Sequence, residues 1–253
     1  METKTSLLVD AGNTAVKWAQ LGADGLTDMK SELYPETMSS QFFLELWNEL
    51  KKPERVIVSC VAGDDTWLAM HSASKELWNS EAVKVSAAKE EHGLINAYEN
   101  ISSLGSDRWC AMIAARQQVK GAFMVVSAGT ALTIDVINAS GQHQGGYILP
   151  GLNLMRQSLA AQTANIKAET VKNQIPSLSL ANSTVGCVEA GIHMATVSFI
   201  KSVYEKESVN GEHMHCYLSG GNAKVLAELL SCECSVIPNL VLLGLAEIAL
   251  ELN

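Results

Sequence analysis

The sequence predicts an α/β fold built twice on one plan: two similar halves, each a mixed sheet flanked by helices. Three observations point there. First, one device occurs twice, as Leu7-Leu8-Val9-Asp10-Ala11-Gly12-Asn13-Thr14 and again as Val125-Val126-Ser127-Ala128-Gly129-Thr130-Ala131. Each copy is an apolar run, a small or acidic residue, then Gly and a hydroxyl or amide side chain. That is the pattern of a buried strand entering a tight turn. Glycine lets the backbone approach a ligand, and Asn13, Thr14 and Thr130 add donors for an anion. Second, Ser219-Gly220-Gly221-Asn222 is a further glycine turn between an apolar strand and a helix. Third, strand-like and helix-like stretches alternate along the chain. Three strand-Gly-turn units are more specific than a lone glycine-rich loop. They predict a phosphate cradle between the halves.

In order, Ser6–Asp10 reads as the first strand and Ala15–Leu21 as its return. Phe42, Phe43, Leu46, Trp47 and Leu50 recur at helical spacing within Thr37–Lys51, and Lys52-Pro53 ends that helix. Arg55–Val61 is a Val/Ile-rich strand. Asp65–Trp78 is a helix whose acidic start suits its dipole. Lys84-Val85 reads as a short strand or edge. Asp107–Val119 is helical, with Trp109, Met112 and Ile113 on one face. Phe123–Ser127 and Leu132–Asn138 form the second strand pair, and Gly145–Gly151 is a turn-rich strand. Leu152–Gln162 and Ser183–Tyr204 are helices. His215–Leu218 is a strand, Ala223–Leu230 a helix, Val236-Ile237 a short strand and Leu240–Leu252 a closing helix. No low-complexity linker separates the halves, so the division is set at 1–115 and 116–253, inside the helix that leads to the second device.

At 253 residues the chain is long enough for one or two sizeable cores. Its net charge of −9 and lack of a long Lys/Arg cluster argue against nucleic acid as a partner. The most apolar segment, Leu240–Leu252, carries Glu247 and Glu251 and is shorter than the ~20 residues of a membrane span. No signal peptide is evident at the start. The expectation is a cytoplasmic, reduced protein. Most of the six cysteines sit singly in apolar stretches, as small buried hydrophobes do. Cys232-Glu233-Cys234, with His213, His215 and Cys216, offers metal ligands, but no second pair stands at zinc spacing.

Asp10 follows a buried strand and precedes Gly12, where a carboxylate can hold Mg²⁺ through water beside nucleotide phosphates. The competing reading is a turn Asp capping its own backbone. Lys17 either neutralises phosphate charge or is a solvated strand residue. Gly105-Ser106-Asp107-Arg108-Trp109 places a carboxylate at a helix start beside a permanent cation. Phosphoryl transfer needs alignment, charge neutralisation and a group that orients the nucleophile. Asp107 suits the proton of an attacking hydroxyl, and Arg108 suits a bidentate clamp on carboxylate or phosphate. The competing reading is an ordinary helix cap with a solvated Arg. Tyr98 is either a hydrogen-bond donor to substrate or a half-buried anchor. His92, His143 and His193 show no carboxylate partner in sequence and read as structural or exposed. Asp135 reads as support for the second turn.

Taken together, Asp10-x-Gly12-Asn13-Thr14, Gly105-x-Asp107-Arg108-Trp109, Gly129-Thr130-Ala131-x-Thr133-x-Asp135 and Gly145-Gly146-x-Ile148-x-Pro150-Gly151 resemble the signature blocks of type III pantothenate kinases. Order and spacing match over nearly the whole chain, including Thr184–Gly191 and Ser219-Gly220-Gly221. The resemblance implies the duplicated ribonuclease H-like (actin-like ATPase) fold of the acetate and sugar kinase, Hsp70 and actin superfamily. It implies ATP-dependent phosphorylation of pantothenate to 4'-phosphopantothenate, the first step toward coenzyme A. Asp107 matches the general base. Tyr98, Gly105, Ser106 and Arg108 match the pantothenate pocket. Asp10, Gly12, Asn13, Thr14, Lys17, Gly129, Thr130, Gly220 and Gly221 match ATP contacts. Thr184 matches a substrate contact across a homodimer interface built on Ser183–Tyr204. The resemblance also implies Mg²⁺, with Asp10 as its water-mediated holder, and a monovalent cation, K⁺ or NH₄⁺.

The chain departs from this pattern in two places. Ser127 stands where the family usually has an Asp that ligates the monovalent cation, and a neutral hydroxyl is a far weaker ligand. Ile101-Ser102-Ser103 lacks the Pro often found before the substrate motif. Ser127 therefore motivates a second reading, a nucleotide-binding regulatory accessory factor of the same fold with weak or lost catalysis. A third is a kinase for another small hydroxy compound.

Overall fold

The computed structural model describes residues 5–163, 166, 176–208 and 214–252. The chain divides into two units, residues 1–117 with 239–253, and residues 118–238. The expected break at 115/116 lies two residues away. The expected place of the closing helix is corrected, because that helix belongs with the first unit.

The first unit begins with β1 (Ser6–Ala11) and β2 (Ala15–Gly22), followed by β3 (Gly25–Leu26) and β4 (Lys30–Leu33). Then come α1 (Ser40–Trp47), β5 (Arg55–Cys60), α2 (Asp64–Trp78), β6 (Ala82–Lys84), the hairpin β7 (Glu90–Glu91) and β8 (Leu94–Ile95), and α3 (Ser106–Gln118). The sheet order is β3-β2-β1-β5-β6, with β4 also on β2. β1 runs antiparallel to β2 and parallel to β5. β1 is buried along its whole length, which is why it reads as a continuous apolar run rather than an alternating one. Phe43 on α1 packs against Trp47 of the same helix, and Trp47 stacks on Trp78 of α2 at 5.9 Å between ring centroids. Burial of each such ring contributes roughly 2–3 kcal/mol.

The second unit holds β9 (Phe123–Ala128), β10 (Ala131–Ile137), β11 (His143–Pro150), α4 (Leu152–Gln162), α5 (Thr184–Glu207), β12 (His215–Ser219), α6 (Ala223–Leu229) and β13 (Cys234–Val236). Its sheet order is β11-β10-β9-β12-β13. β9 is antiparallel to β10 and parallel to β12, and β12 is parallel to β13. This repeats the plan of the first sheet with one strand fewer: antiparallel strands on one side, parallel crossovers on the other. The core around Met124, Val126, Leu132, Ile134, Ile200, Leu218 and Leu226 closes it.

The last helix, α7 (Leu240–Glu251), packs on β1, β5 and β2. Gly244 explains how it lies so close: a Cβ there would stand 1.9 Å from the carbonyl oxygen of Cys110 on α3. Only a residue without a side chain lets these two helix backbones touch. α1 is shorter than its apolar pattern suggested, because Ser39 is extended and begins the helix late. No helix among the described residues is long and apolar enough to cross a membrane.

Candidate functional site

Asp10 lies near the C-terminal end of β1, the end of a parallel sheet where ligands bind in open α/β folds. In register it faces Lys17 on β2 and Ser59 on β5. The hairpin is closed by the Gly12 N–H donating to the Ala15 carbonyl at 3.2 Å. Asn13 and Thr14 are exposed at its tip. The Lys17 ammonium lies 3.5 Å from Asp10 Oδ2 while its side chain stays 37% exposed, so Lys17 is at once an ion-pair partner and open to solvent. Asp10 is only 7% exposed. Burial pushes its pKa up to about 6, Lys17 pulls it down, and the nearby charge of Asp107 pushes it up again. A buried carboxylate held against a second carboxylate is a hard-oxygen site whose charge a divalent cation would relieve.

Asp107 stands in the first turn of α3. Its Oδ1 accepts the Arg108 N–H at 2.8 Å, so the helix-cap reading describes one of its oxygens. The other half of its role is visible in Gly105, where a Cβ would meet Asp107 Oδ1 at 2.6 Å. The missing side chain is the space that the carboxylate occupies. Arg108 is buried, and its Nη1 donates to the Tyr98 hydroxyl at 2.8 Å. The guanidinium also lies over the Tyr98 ring, a contact that a Lys would not make in the same plane. The Tyr98 N–H donates to Asn96 Oδ1, and Asn96 donates to the Ala88 carbonyl, which fixes the loop that carries Tyr98. The Trp109 indole donates to Glu91 on β7. Ser106 is buried with its hydroxyl 2.9 Å from that of Ser59, which ties the start of α3 to the strand beside Asp10. The first unit thus gathers Asp10, Lys17, Tyr98, Gly105, Ser106, Asp107 and Arg108 through direct contacts or charge coupling.

The second unit repeats the backbone with other side chains. Ser127 faces Thr133 on β10 and Ser219 on β12, as Asp10 faces Lys17 and Ser59. The Gly129 N–H donates to the Ala131 carbonyl at 3.0 Å, and Gly129 and Thr130 are exposed at the turn. Gly151 backs this turn, since a Cβ on it would stand 2.3 Å from the Gly129 carbonyl oxygen. Gly220 has φ +92° and packs on Ala128, whose carbonyl oxygen would lie 2.6 Å from a Cβ. Gly221 follows it, exposed. The register neighbours of Ser127 are neutral hydroxyl residues, so this position does not fit a carboxylate-held monovalent cation. Thr184 opens α5 and borders an apolar cavity of about 1040 Å³ that Pro150, Leu154, Leu159, Val188 and Ile192 also line.

Sequence reasoning missed several features. A cavity of about 370 Å³ lies beside Asn222, lined also by Arg156, Glu189 and His193. Arg156 grips Glu189 in a two-point ion pair, with Nη2 to Oε2 at 2.6 Å. The pair joins two helices and has no local sequence signal. His143 has a carboxylate partner after all: its Nε2 lies 3.0 Å from Asp135 Oδ1, with both side chains buried. His92 pairs with Glu251 of α7 at 3.3 Å. His193 is buried, and burial lowers its pKa. Of the cysteine and histidine metal candidates, His213 lies outside the described residues. Among the described residues no group of three or more His, Cys, Asp or Glu side chains suits a metal ion.

A family model described as type III pantothenate kinase matches residues 6–206. A type III pantothenate kinase of Azoarcus sp. (strain BH72) is 38% identical over 248 residues, covering 96% of this chain and 90% of that protein. Among solved structures, a putative 2-dehydro-3-deoxygalactonokinase from Sinorhizobium meliloti superposes with a TM-score of 0.64 at 12% identity, over 98% of this chain and 99% of the other. MreB 5 of Spiroplasma citri bound to AMPPNP superposes with a TM-score of 0.54 at 12% identity, over 100% and 98% of the two chains. The fold is that of the sugar kinases and actin-like ATPases.

Proposed function

The chain belongs to the type III pantothenate kinase family, and from that premise we infer that it transfers the γ-phosphoryl group of ATP to the primary hydroxyl of pantothenate, the first step toward coenzyme A. The observation that carries this reading is the arrangement around Asp107: a carboxylate seated in the space left by Gly105, coupled to Asp10, beside an Arg108 held by Tyr98.

Each group has a task in this reading. Asp107 accepts the proton of the pantothenate hydroxyl as the oxygen attacks phosphorus. Arg108, oriented by Tyr98, meets the pantothenate carboxylate; Gly105 keeps room for Asp107, and Ser106 locks the helix start to Ser59. Gly12, Asn13 and Thr14, with Gly129 and Thr130, offer turn donors to the phosphates. Lys17 offsets charge on Asp10 until nucleotide arrives. Gly220 and Gly221 let the base approach the backbone, beside the cavity at Asn222. Asp10 suits Mg²⁺ held through water, and that ion, when bound, neutralises charge on the β- and γ-phosphates. The oxygens around Ser127 are neutral, so the reading assigns no step to K⁺ or NH₄⁺.

A homodimer built on α5 belongs to the same proposal, with Thr184 reaching substrate across the interface. The exposed apolar residues Ile148, Leu154, Leu159 and Met194 of β11, α4 and α5 support it. The free cysteines suit a reducing, cytoplasmic setting. The test is ADP release by the purified protein with and without pantothenate, with the product identified by mass. Pantothenate-dependent release of ADP with a phosphorylated product is expected. ATP binding with no pantothenate-stimulated turnover would replace this reading with that of a nucleotide-binding regulatory factor.

A further inference from the structure

Asn96 and Glu91 have no task in the kinase reading, yet they sit on one short hairpin that reaches both members of the Tyr98–Arg108 contact. β7 and β8 are two residues each, joined by His92 and Gly93 with φ +50° and +73°. Two central residues of positive φ make the tight turn that closes so short a hairpin. A lone two-stranded hairpin is marginal in water, so its side-chain contacts decide where it lies. Asn96 follows β8 and is buried. Its N–H donates to the Lys89 carbonyl at 2.9 Å and its Nδ2 to the Ala88 carbonyl at 3.2 Å, which closes the open end of the hairpin. Its Oδ1 accepts the Tyr98 N–H at 2.9 Å. A side-chain oxygen bonded to the N–H two residues on is an Asx turn, and here it brings Tyr98 to Arg108.

Glu91 acts from the other strand. Its Oε2 accepts the Trp109 indole N–H at 2.8 Å. Trp109 is fully buried, so that N–H needs an acceptor, and Trp109 is the residue after Arg108 on α3. The contacts form a closed circuit: Asn96 to Tyr98, Tyr98 to Arg108, along the chain to Trp109, Trp109 to Glu91, and back through β7 to Asn96. Arg108 is thus located twice against the same hairpin, through Tyr98 at its guanidinium and through Trp109 at its backbone.

We propose that Asn96 and Glu91 are positioning residues for pantothenate: by closing this circuit they aim the Arg108 guanidinium at the substrate carboxylate and so set the affinity for pantothenate without touching it. The effect on pantothenate rests on the kinase reading, in which Arg108 meets that carboxylate; the circuit does not. A two-point guanidinium–carboxylate pair is directional, so a small rotation of the planar group loses one of its two bonds. Ala at 96 removes both the donor to Ala88 and the acceptor for the Tyr98 N–H. Asp keeps the acceptor but sets an oxygen against the Ala88 carbonyl. At 91 the circuit needs only an acceptor, which Gln supplies and Ala does not. Asp107 is held by the Arg108 N–H and by the space at Gly105. Neither contact belongs to the circuit, so the proton-accepting group stays in place.

The test compares the full natural chain with Asn96→Ala, Asn96→Asp, Glu91→Ala and Glu91→Gln. Steady-state kinetics give kcat and the KM values for pantothenate and ATP, calorimetry gives the pantothenate Kd, and urea midpoints show that each variant is folded. Asn96→Ala and Glu91→Ala are expected to raise the pantothenate KM and Kd on the order of 10-fold, with kcat and the ATP KM within about two-fold of the natural values. Asn96→Asp falls between, and Glu91→Gln stays near the natural chain. Added to Tyr98→Phe, which lacks the hydroxyl that meets Arg108, Asn96→Ala raises the pantothenate KM little further, because both changes open the same circuit. A merely structural role would lower kcat with the folded fraction and leave both KM values alone; that result overturns the proposal, as does full additivity with Tyr98→Phe. Should Asn96→Ala not fold, the comparison of Glu91→Ala with Glu91→Gln decides. A natural chain that binds pantothenate without phosphorylating it would remove the kinase reading alone, and the calorimetric comparison would still decide the positioning role.

Discussion

The hairpin after β1 and the hairpin after β9 share a backbone and differ in charge. Both turn on a glycine whose N–H donates to the start of the returning strand, Gly12 to Ala15 and Gly129 to Ala131. Both present one residue flanked in register by the return strand and by a parallel strand. In the first unit that residue is Asp10, between Lys17 and Ser59; in the second it is Ser127, between Thr133 and Ser219. The first hairpin therefore holds a buried carboxylate with a raised pKa against an ammonium, and the second holds hydroxyls. The same backbone scaffold thus carries charged side chains in the first unit and neutral hydroxyls in the second. The helix starts differ likewise. Gly63 before α2 and Gly220 before α6 both have φ near +90°, yet a Cβ at Gly63 would meet nothing within 4 Å, while one at Gly220 would collide with Ala128.

The largest effect that sharpens this contrast is at Gly220. Gly220→Ala combines a positive φ with a backbone collision and should cost on the order of 3 kcal/mol, read as a drop in urea midpoint. Asp10→Asn comes next, with the opposite sign. Ionising a carboxyl whose folded pKa is about 6 against 3.8 unfolded works against folding. That penalty is absent below pH 4, grows between pH 4 and 6, and is complete above. The Asn variant should thus gain up to about 3 kcal/mol of stability at pH 7 in the ligand-free protein and almost none at pH 3.5, while kinase activity is lost. Denaturant titrations at the two pH values check the sign. Gly63→Ala, strained but unobstructed, should cost only about 1 kcal/mol. The smallest effect tests the charge difference itself. Ser127→Asp should make the rate several-fold faster in KCl than in NaCl, whereas the natural chain should run equally in both; equal rates for the variant would mean that the carboxylate alone does not build the cation site.

The strands that carry the site were legible because they are continuous apolar runs ending in glycine turns, and the same rule found all three turns. β3 and β4 were missed since Lys30–Leu33 is exposed throughout and offers no apolar alternation. The β7–β8 hairpin was missed because its strands are two residues each. The helix at 240–251 was seen, but not its membership of the first unit; that depends on the fit of Gly244 against Cys110, which no local pattern encodes. Asp107, Arg108 and Tyr98 were legible as types. Their mutual geometry was not, because it depends on the absent side chain of Gly105 and on the Asn96 bonds that hold the Tyr98 loop. Asp135 and His143 are eight positions apart on different strands, across a register shift at Val136/Ile137, so neither sequence distance nor alternation revealed the pair.

The central claim is that the carboxylate of Asp107 takes the substrate proton, and turnover measured alongside binding in Asp107→Asn tests it most directly. The amide keeps the shape and removes the base. The account predicts ATP and pantothenate affinities within a few-fold of the natural chain and a kcat lower by on the order of 10²-fold or more. A kcat near that of the natural chain, with both ligands still bound, would contradict it.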